Sequence, residues 1–482
     1  MSETSEREAT IFGRTLSNLS SAWRDVTTSV GWPASSGEDG NVRALRRLMR
    51  ECLESRGGES SARSRVAELG RRYLQLDQTG KVRFLKLLAV EFACDESKVS
   101  AAMQRYRDAS ELSERLEAET RLRQVLVPPR VKLLTQFNAL PEGTKFLVDM
   151  RADLLPLIDG DPHLSHLEED LRELLTSWFD VGFIDLQEIT WHSSAALLEK
   201  LIAYEAVHEI RDWGDLRNRL DSDRRCYALF HPRMVEEPLA FVEVALTDQM
   251  AESIQALLDE SAPADDPKDA RAAIFYSISN TQQGLRGISF GDYLIKQVVG
   301  QLNQELPKLD TFATLSPIPN FREWLDRAPL ASLTGMTTDA ERDAIIKLAG
   351  SGDLSEALRS LLAWDRWPHD DAVSEALRAP MLRFCARYLL ERRGNGQPID
   401  PVARFHLKNG ARVERINWLG DTSAKGLRQS AGMMVNYRYI VEHIEQNHEA
   451  YLHDNRIVLG SEVRSLLRGW KAPDGTPLRK LA

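Results

Sequence analysis

The stretch AAIFYSISNTQQGLRGISFGDYLIKQVVGQLNQELPKLDTFATLSP, residues 272–317, decides how the second half of this chain is read. Residues 272–280 are an apolar run of strand length. Gly284, Gly287 and Gly291 follow, so a glycine-rich loop leaves that strand. Leu294, Ile295, Val298, Val299 and Leu302 then recur at helical spacing and predict an amphipathic helix. Thr311, Phe312, Thr314 and Leu315 suit a pleated, half-buried surface. Ser316 comes next and is stopped by Pro317 and Pro319, which cannot donate to a sheet ladder. The order is strand, glycine loop, helix, strand, with a hydroxyl fixed at the last strand end.

Upstream, CYALFHP (226–232) and PLAFVEVAL (238–246) predict a hairpin with its turn in RMVEEP. Downstream, helical patterns run from 321 to about 395 and form an insertion. ARFHLKNGARVERINWL predicts a second hairpin around Asn409-Gly410, and a last helical region starts at 423. The first half differs. Residues 1–40 are polar, rich in Ser, Gly and Thr, and are expected to be a mobile segment. Residues 41–185 carry helical periodicity, as in Leu45, Leu48, Met49, Cys52 and Leu53, with Asp95 placed to cap a helix. The expected organisation is therefore α+β: an N-terminal all-α bundle over 41–185, then a mixed α/β domain over 186–482.

Composition narrows the function classes. With 482 residues, several domains are expected. Apolar residues at 43% and charged residues at 28% fit a globular protein. A net charge of −10 argues against a general nucleic-acid binder or a basic membrane-surface protein. Cys52, Cys94, Cys226 and Cys385 are widely spaced, which suits a reducing compartment and offers no zinc framework. His163 and His166 stand three apart without further ligand partners, so no metal is expected. No run is long enough to span a membrane, and the acidic N-terminus lacks a signal-peptide core. The C-terminus, RKLA, is not a peroxisomal ending, and a cytoplasmic location is expected.

Four features can carry chemistry. Glycines between a strand and a helix place backbone N–H groups at a helix N-terminus, which suits a phosphate or pyrophosphate. The spacing is neither GxGxxG nor a Walker loop, and a tight connection explains it equally. Arg286 and Lys296 supply nearby charge. Ser316 reads as a turn hydroxyl or a reactive one. His406 lies among apolar residues, where a structural histidine is common. Tyr437 and Tyr439 alternate in VNYRYI, a pattern that packing alone accounts for.

Taken together and in order, the stretches TKFLVDMRADLL, TWHS, EAVH, RRCY, FYSISNTQQGLRG, LSPIP, PVARFHLKNGA, RINWL and NYRY resemble malonyl-CoA decarboxylases. They run from about 140 to 440, and SISNTQQGLRG with LSPIP is long and unusual. The resemblance implies an N-terminal helical domain and a catalytic domain of the GNAT (acetyltransferase-type) fold; the helical domain, with no ligand site of its own, is expected to serve assembly. In that fold CoA lies between two splayed strands, with its pyrophosphate on the loop before a helix. It places CoA contacts at Arg286, Gly287, Ile288, Ser289, Phe290, Gly291, Asp292 and Ile295. It makes Ser316 the catalytic serine, His406 the catalytic histidine, both touching substrate, and sets Tyr439 beside them. The family carries a carboxylate within the loop where this chain has Ser289.

The implied reaction turns malonyl-CoA into acetyl-CoA and CO₂ through a thioester enolate protonated at C2. The thioester is itself the electron sink, so no cofactor is expected. Ser316 is expected to hold the malonyl head. His406, with an ordinary pKa of ~6.5, is expected to deliver the proton and to show in the pH profile. Malonyl-CoA is the expected partner, with a homo-oligomer, dimer or tetramer, formed through the helical domain. Two rivals stand beside this reading: a GNAT-type N-acyltransferase using Tyr437 or Tyr439 as acid, and a non-catalytic helical interaction protein.

Overall fold

The computed structural model describes Trp23 and residues 38–54, 58–288, 291–350, 352–394 and 396–468. The chain divides into two compact units. The first takes residues up to 185 with segments 230–239 and 280–289, and the second takes the remainder.

The first unit is helical, from Glu38–Leu53 to Pro162–Trp178. Its helix starts follow local chemistry. Asp77, Asp95 and Asp161 each accept backbone N–H groups of the first turn, and Pro162 occupies a first-turn position where no donor is missed. The core is aromatic: Trp23, Tyr73, Phe84, Phe137 and Phe146 are all buried and touch in a chain of ring contacts. Trp23 corrects the expectation for the N-terminal segment at that one residue. It is 0% exposed, and its indole N–H donates to Pro141 O at 2.7 Å. Gly70 makes room for it, since a Cβ there would meet the indole at 1.9 Å. The other residues of 1–37 lie outside the described residues.

Helix Gly143–Leu154 is buried around most of its circumference, and its buried Lys145 and Asp149 pair with each other. It holds the turn Gln283–Leu285. Arg151 Nη1 donates to Gly284 O at 2.6 Å while Nη2 pairs with Glu168 at 2.5 Å. A Cβ on Gly284 would sit 1.7 Å from Val148 O. Gly284 is therefore required by close packing on this helix.

The second unit is built on an eight-stranded sheet. The strands are β1 (Asp185–Ile189), β2 (Arg224–Phe230), β3 (Pro238–Thr247), β4 (Ala272–Asn280), β5 (Thr311–Thr314), β6 (Ser316–Pro317), β7 (Arg412–Asn417) and β8 (Met434–Tyr439). Their order is β1-β2-β3-β4-β5-β8-β6, with β7 also paired to β8. Ala272, Ile274 and Tyr276 point to one face and pack with Ala245, Ala313, Leu315 and Met434. The helix Gly291–Glu305 buries Leu294, Ile295, Val298, Val299 and Leu302, as its spacing predicts. Helices from Phe321–Arg327 to Asp371–Leu390 fill the chain between β6 and β7.

β4 and β5 run parallel, in register from Ala272 opposite Thr311 to Phe275 opposite Thr314. Leu315 N–H donates to Phe275 O at 3.0 Å. Beyond that point β4 continues to Asn280, whereas Ser316 and Pro317 pair with Val435 and Met434 of β8. The two parallel strands thus part at Phe275 and Leu315.

Two elements differ from the sequence reading. The stretch around Asn409-Gly410 is a helix, Pro401–Lys408, followed by β7. Gly410 has φ +81° and its Cα faces Ile444 O, where a Cβ would lie at 2.2 Å. An Asn-Gly pair serves a helix C-terminus as well as a hairpin, because both need a left-handed residue. The region from 423 contains the short helix Ala424–Ser430 and then β8, where only helix was expected. Among the described residues no helix is long and apolar enough to cross a membrane.

Candidate active site

Ser316 owes its position to an interrupted ladder. β5 pairs with β8 at Phe312–Tyr439 and Ala313–Arg438, and β6 pairs at Ser316–Val435. Between these points side chains replace backbone pairing. Tyr437 N–H donates to Thr314 Oγ1 at 3.1 Å, and Asn436 Nδ2 donates to Thr314 O at 2.7 Å. The Ser316 hydroxyl donates to Thr314 Oγ1 at 2.8 Å. Pro317 follows at once and restricts Ser316 to extended backbone.

His406 comes from the helix Pro401–Lys408. Asp400 caps it, accepting Ala403 N–H at 2.7 Å, and Pro401 occupies its first turn. Tyr388 O–H donates to the second Asp400 oxygen at 3.1 Å. At the other end Ala411 N–H donates to His406 O, so the histidine backbone is held within the closing turn.

The imidazole is gripped on three sides. Nε2 and Ser316 Oγ share a hydrogen bond at 3.1 Å, and Nδ1 shares one with the Tyr439 hydroxyl at 2.7 Å. Tyr437 stacks on the ring face, with centroids 4.6 Å apart and planes 24° off parallel. Val435, Tyr437 and Tyr439 alternate along β8, so the two tyrosines project to the same face. Ser316 is 5% exposed, His406 3% and Thr314 0%.

Burial sets the electrostatics. It pushes His406 down to about 3. The ring is therefore neutral at pH 7, and the expected titration near ~6.5 is corrected. Burial also raises Asp400 to about 6, against the backbone and Tyr388 hydrogen bonds that lower it. It holds the Tyr437 phenol well above its ordinary range. That hydroxyl has no hydrogen-bond partner among the described residues.

The sequence-selected residues fall into separate groups. Ser316, His406 and Tyr439 are brought into one hydrogen-bonded string in the second unit. Ile295 is fully buried on the helix Gly291–Glu305 of that unit, which also carries Gly291 and Asp292. Arg286, Gly287 and Ile288 belong to the first unit, following the turn Gln283–Leu285. Gly287 has φ +84° with open space where a Cβ would stand, and Arg286 is exposed. Ser289 and Phe290 lie outside the described residues. Thr314 and Asn436 were not singled out from sequence. Their signal, polar residues alternating within apolar strands, is visible in TFAT and MVNYRY but is not specific. Among the described residues no three His, Cys, Asp or Glu side chains are grouped to hold a metal ion.

Comparison with known proteins adds independent findings. Residues 92–179 match the family described as Malonyl-CoA decarboxylase N-terminal domain, and 182–475 match Malonyl-CoA decarboxylase C-terminal domain. The mitochondrial malonyl-CoA decarboxylase of Anser anser anser is 37% identical over 423 residues, covering 84% of each chain. That of Rattus norvegicus is 38% identical over 405 residues, covering 80% of this chain and 82% of its own. Among solved structures, malonyl-CoA decarboxylase from Rhodopseudomonas palustris is 43% identical with a TM-score of 0.78, covering 90% of this chain and 100% of its own. The enzyme from Agrobacterium vitis is 41% identical, also at a TM-score of 0.78, over 88% of this chain and 99% of its own. With both family domains matched in order along most of its length, this chain belongs to the malonyl-CoA decarboxylase family.

Proposed function

We propose that the protein decarboxylates malonyl-CoA to acetyl-CoA and CO₂, with Ser316 and His406 at the reacting carbon. The observation that carries this reading is the string Ser316–His406–Tyr439, assembled at a strand end in a chain of this family. The bond between C2 and the carboxylate breaks, its electron pair passes into the thioester as an enolate, and CO₂ departs. His406 then delivers a proton to C2. A neutral imidazole N–H is acidic enough, because a thioester enolate is a stronger base than the imidazolate left behind. Ser316 stands where the malonyl head would emerge, and its hydrogen bond to Nε2 holds the imidazole toward C2. The buried surroundings also favour loss of a carboxylate that leaves as neutral CO₂. The thioester accepts the electrons, so the chemistry calls for no cofactor.

The parting of β4 and β5 supports a CoA cleft between them, and the loop Arg286–Asp292 with Ile295 is assigned to the pyrophosphate. The positive φ of Gly287 and the exposed Arg286 suit an anion-binding turn. We assign the first unit to homo-oligomerisation through residues 41–185. Helices Glu96–Asp108 and Leu112–Leu126 leave Met103, Tyr106, Leu112, Leu116 and Leu126 exposed, which favours a second copy as their cover. Cytoplasmic location accords with four free cysteines. The test of function is incubation with malonyl-CoA without any acceptor. Release of CO₂ with stoichiometric acetyl-CoA supports the reading, and acetyl transfer that needs an added amine overturns it.

A further inference from the structure

We propose that Thr314 is a positioning residue that accepts the hydrogen bond of the Ser316 hydroxyl and thereby keeps the His406 proton on Nε2. This deepens the decarboxylase reading and rests on it for its catalytic meaning.

Ser316 has one hydroxyl hydrogen and two polar neighbours, Thr314 Oγ1 at 2.8 Å and His406 Nε2 at 3.1 Å. The geometry sends that hydrogen to Thr314. Ser316 Oγ then has only lone pairs to offer His406, so Nε2 must be the donor. Nδ1 of the neutral ring is left as an acceptor, and the Tyr439 hydroxyl stands 2.7 Å from it to donate. The string therefore has one direction: Tyr439 O–H to Nδ1, Nε2–H to Ser316, Ser316 O–H to Thr314.

Thr314 is suited to hold this direction. It is 0% exposed, and its Oγ1 is pinned by Tyr437 N–H at 3.1 Å, in the gap of the β5–β8 ladder. Burial keeps His406 from carrying both protons at neutral pH. Where the single ring proton sits therefore decides which face of the ring is an acid. Were Thr314 unable to accept, the Ser316 hydrogen would turn to Nε2, and the ring proton would move to Nδ1, away from the reacting carbon. With the observed direction, the C2–H bond forms as Nε2–H breaks. The Tyr439 proton shifts to Nδ1 in the same event; as product leaves, water returns a proton to Nε2 and the Nδ1 proton goes back to the Tyr439 phenolate, which restores the string.

The experiment is ¹⁵N imidazole NMR of the full protein without ligand, with His406 resonances assigned by their absence in His406→Asn. The wild type is expected to be the Nε2–H tautomer; an Nδ1–H wild type overturns the proposal, whatever any variant does. Thr314→Val is nearly isosteric and is expected to shift His406 to Nδ1–H. It should lower kcat by roughly tenfold or more with CoA affinity unchanged. Thr314→Ser restores an acceptor and should recover both tautomer and kcat. A Thr314→Val protein that loses kcat while keeping the Nε2–H tautomer, or keeps both, also overturns it. The spectrum needs no substrate, so failure of the wild type to release CO₂ would sink the decarboxylase reading and leave this result distinguishable.

Discussion

Ser316 and His406 lie 90 residues apart in sequence, yet Oγ and Nε2 meet at 3.1 Å inside the second unit. The contact joins a strand end fixed by Pro317 to a helix fixed by Asp400. Neither group carries charge at neutral pH, and that has consequences for how the protein responds to acid.

With His406 held near about 3, kcat should be flat across the neutral range and fall only in strong acid. An inflection near ~6.5 in kcat that disappears in His406→Asn would contradict this. Stability follows the same sign. The folded pKa lies below the unfolded value of ~6.5, so the contribution is complete above ~6.5 and is lost as pH falls toward about 3. Chemical denaturation of His406→Asn should give a shallower acid limb than the wild type.

Asp400 slopes the other way. Its folded value of about 6 exceeds the unfolded ~3.9, so its contribution is complete below ~3.9 and is lost as pH rises through about 6. Asp400→Asn keeps an oxygen for Ala403 N–H and removes the buried charge. It should be no less stable than wild type above pH 6. Asp400→Ala loses the cap and should cost about 1 kcal/mol or more, read as a lower denaturation midpoint.

The glycines separate packing from binding. Gly284→Ala forces a Cβ against Val148 O and should destabilise the protein by about 1–3 kcal/mol. Gly287→Val strains a φ of +84° in open space and should instead weaken CoA binding in a folded protein. Calorimetric CoA titration beside thermal unfolding distinguishes them. Unchanged CoA affinity in Gly287→Val would remove the loop from the binding site.

How much of this was legible follows from the period of each element. The strand 272–280 and the helix 291–305 were read at nearly their observed bounds, because each carries one clean periodicity. β8 was missed although Val435, Tyr437 and Tyr439 alternate, because a short strand next to a helical pattern gives too few repeats to stand out. The helix bearing His406 was read as a strand because Asn409-Gly410 marks a left-handed turn without saying what precedes it. Ser316, His406 and Tyr439 came from resemblance, and residue types alone left each with a bland explanation. Thr314 could not be found that way. Its role arises from a break in strand pairing with residues some 120 positions later, which is a property of the fold.

The assembly assignment is tested at the exposed helix pair. Light scattering should show a dimer or tetramer at micromolar concentration. Leu112→Glu with Leu116→Glu should shift it to a smaller species, since both side chains are exposed on the helix Leu112–Leu126. A wild-type monomer would contradict the assignment.

The most direct test of the central claim is steady-state turnover of malonyl-CoA, without acceptor, by wild type, Ser316→Ala, His406→Asn and the double variant. CoA affinity is measured alongside. Each single variant should lose about 10²-fold or more in kcat with CoA affinity nearly unchanged, because neither group holds the nucleotide. The double variant should be scarcely worse, since the two act as one hydrogen-bonded unit. Near-normal turnover by His406→Asn, or losses that simply multiply in the double variant, would contradict the account.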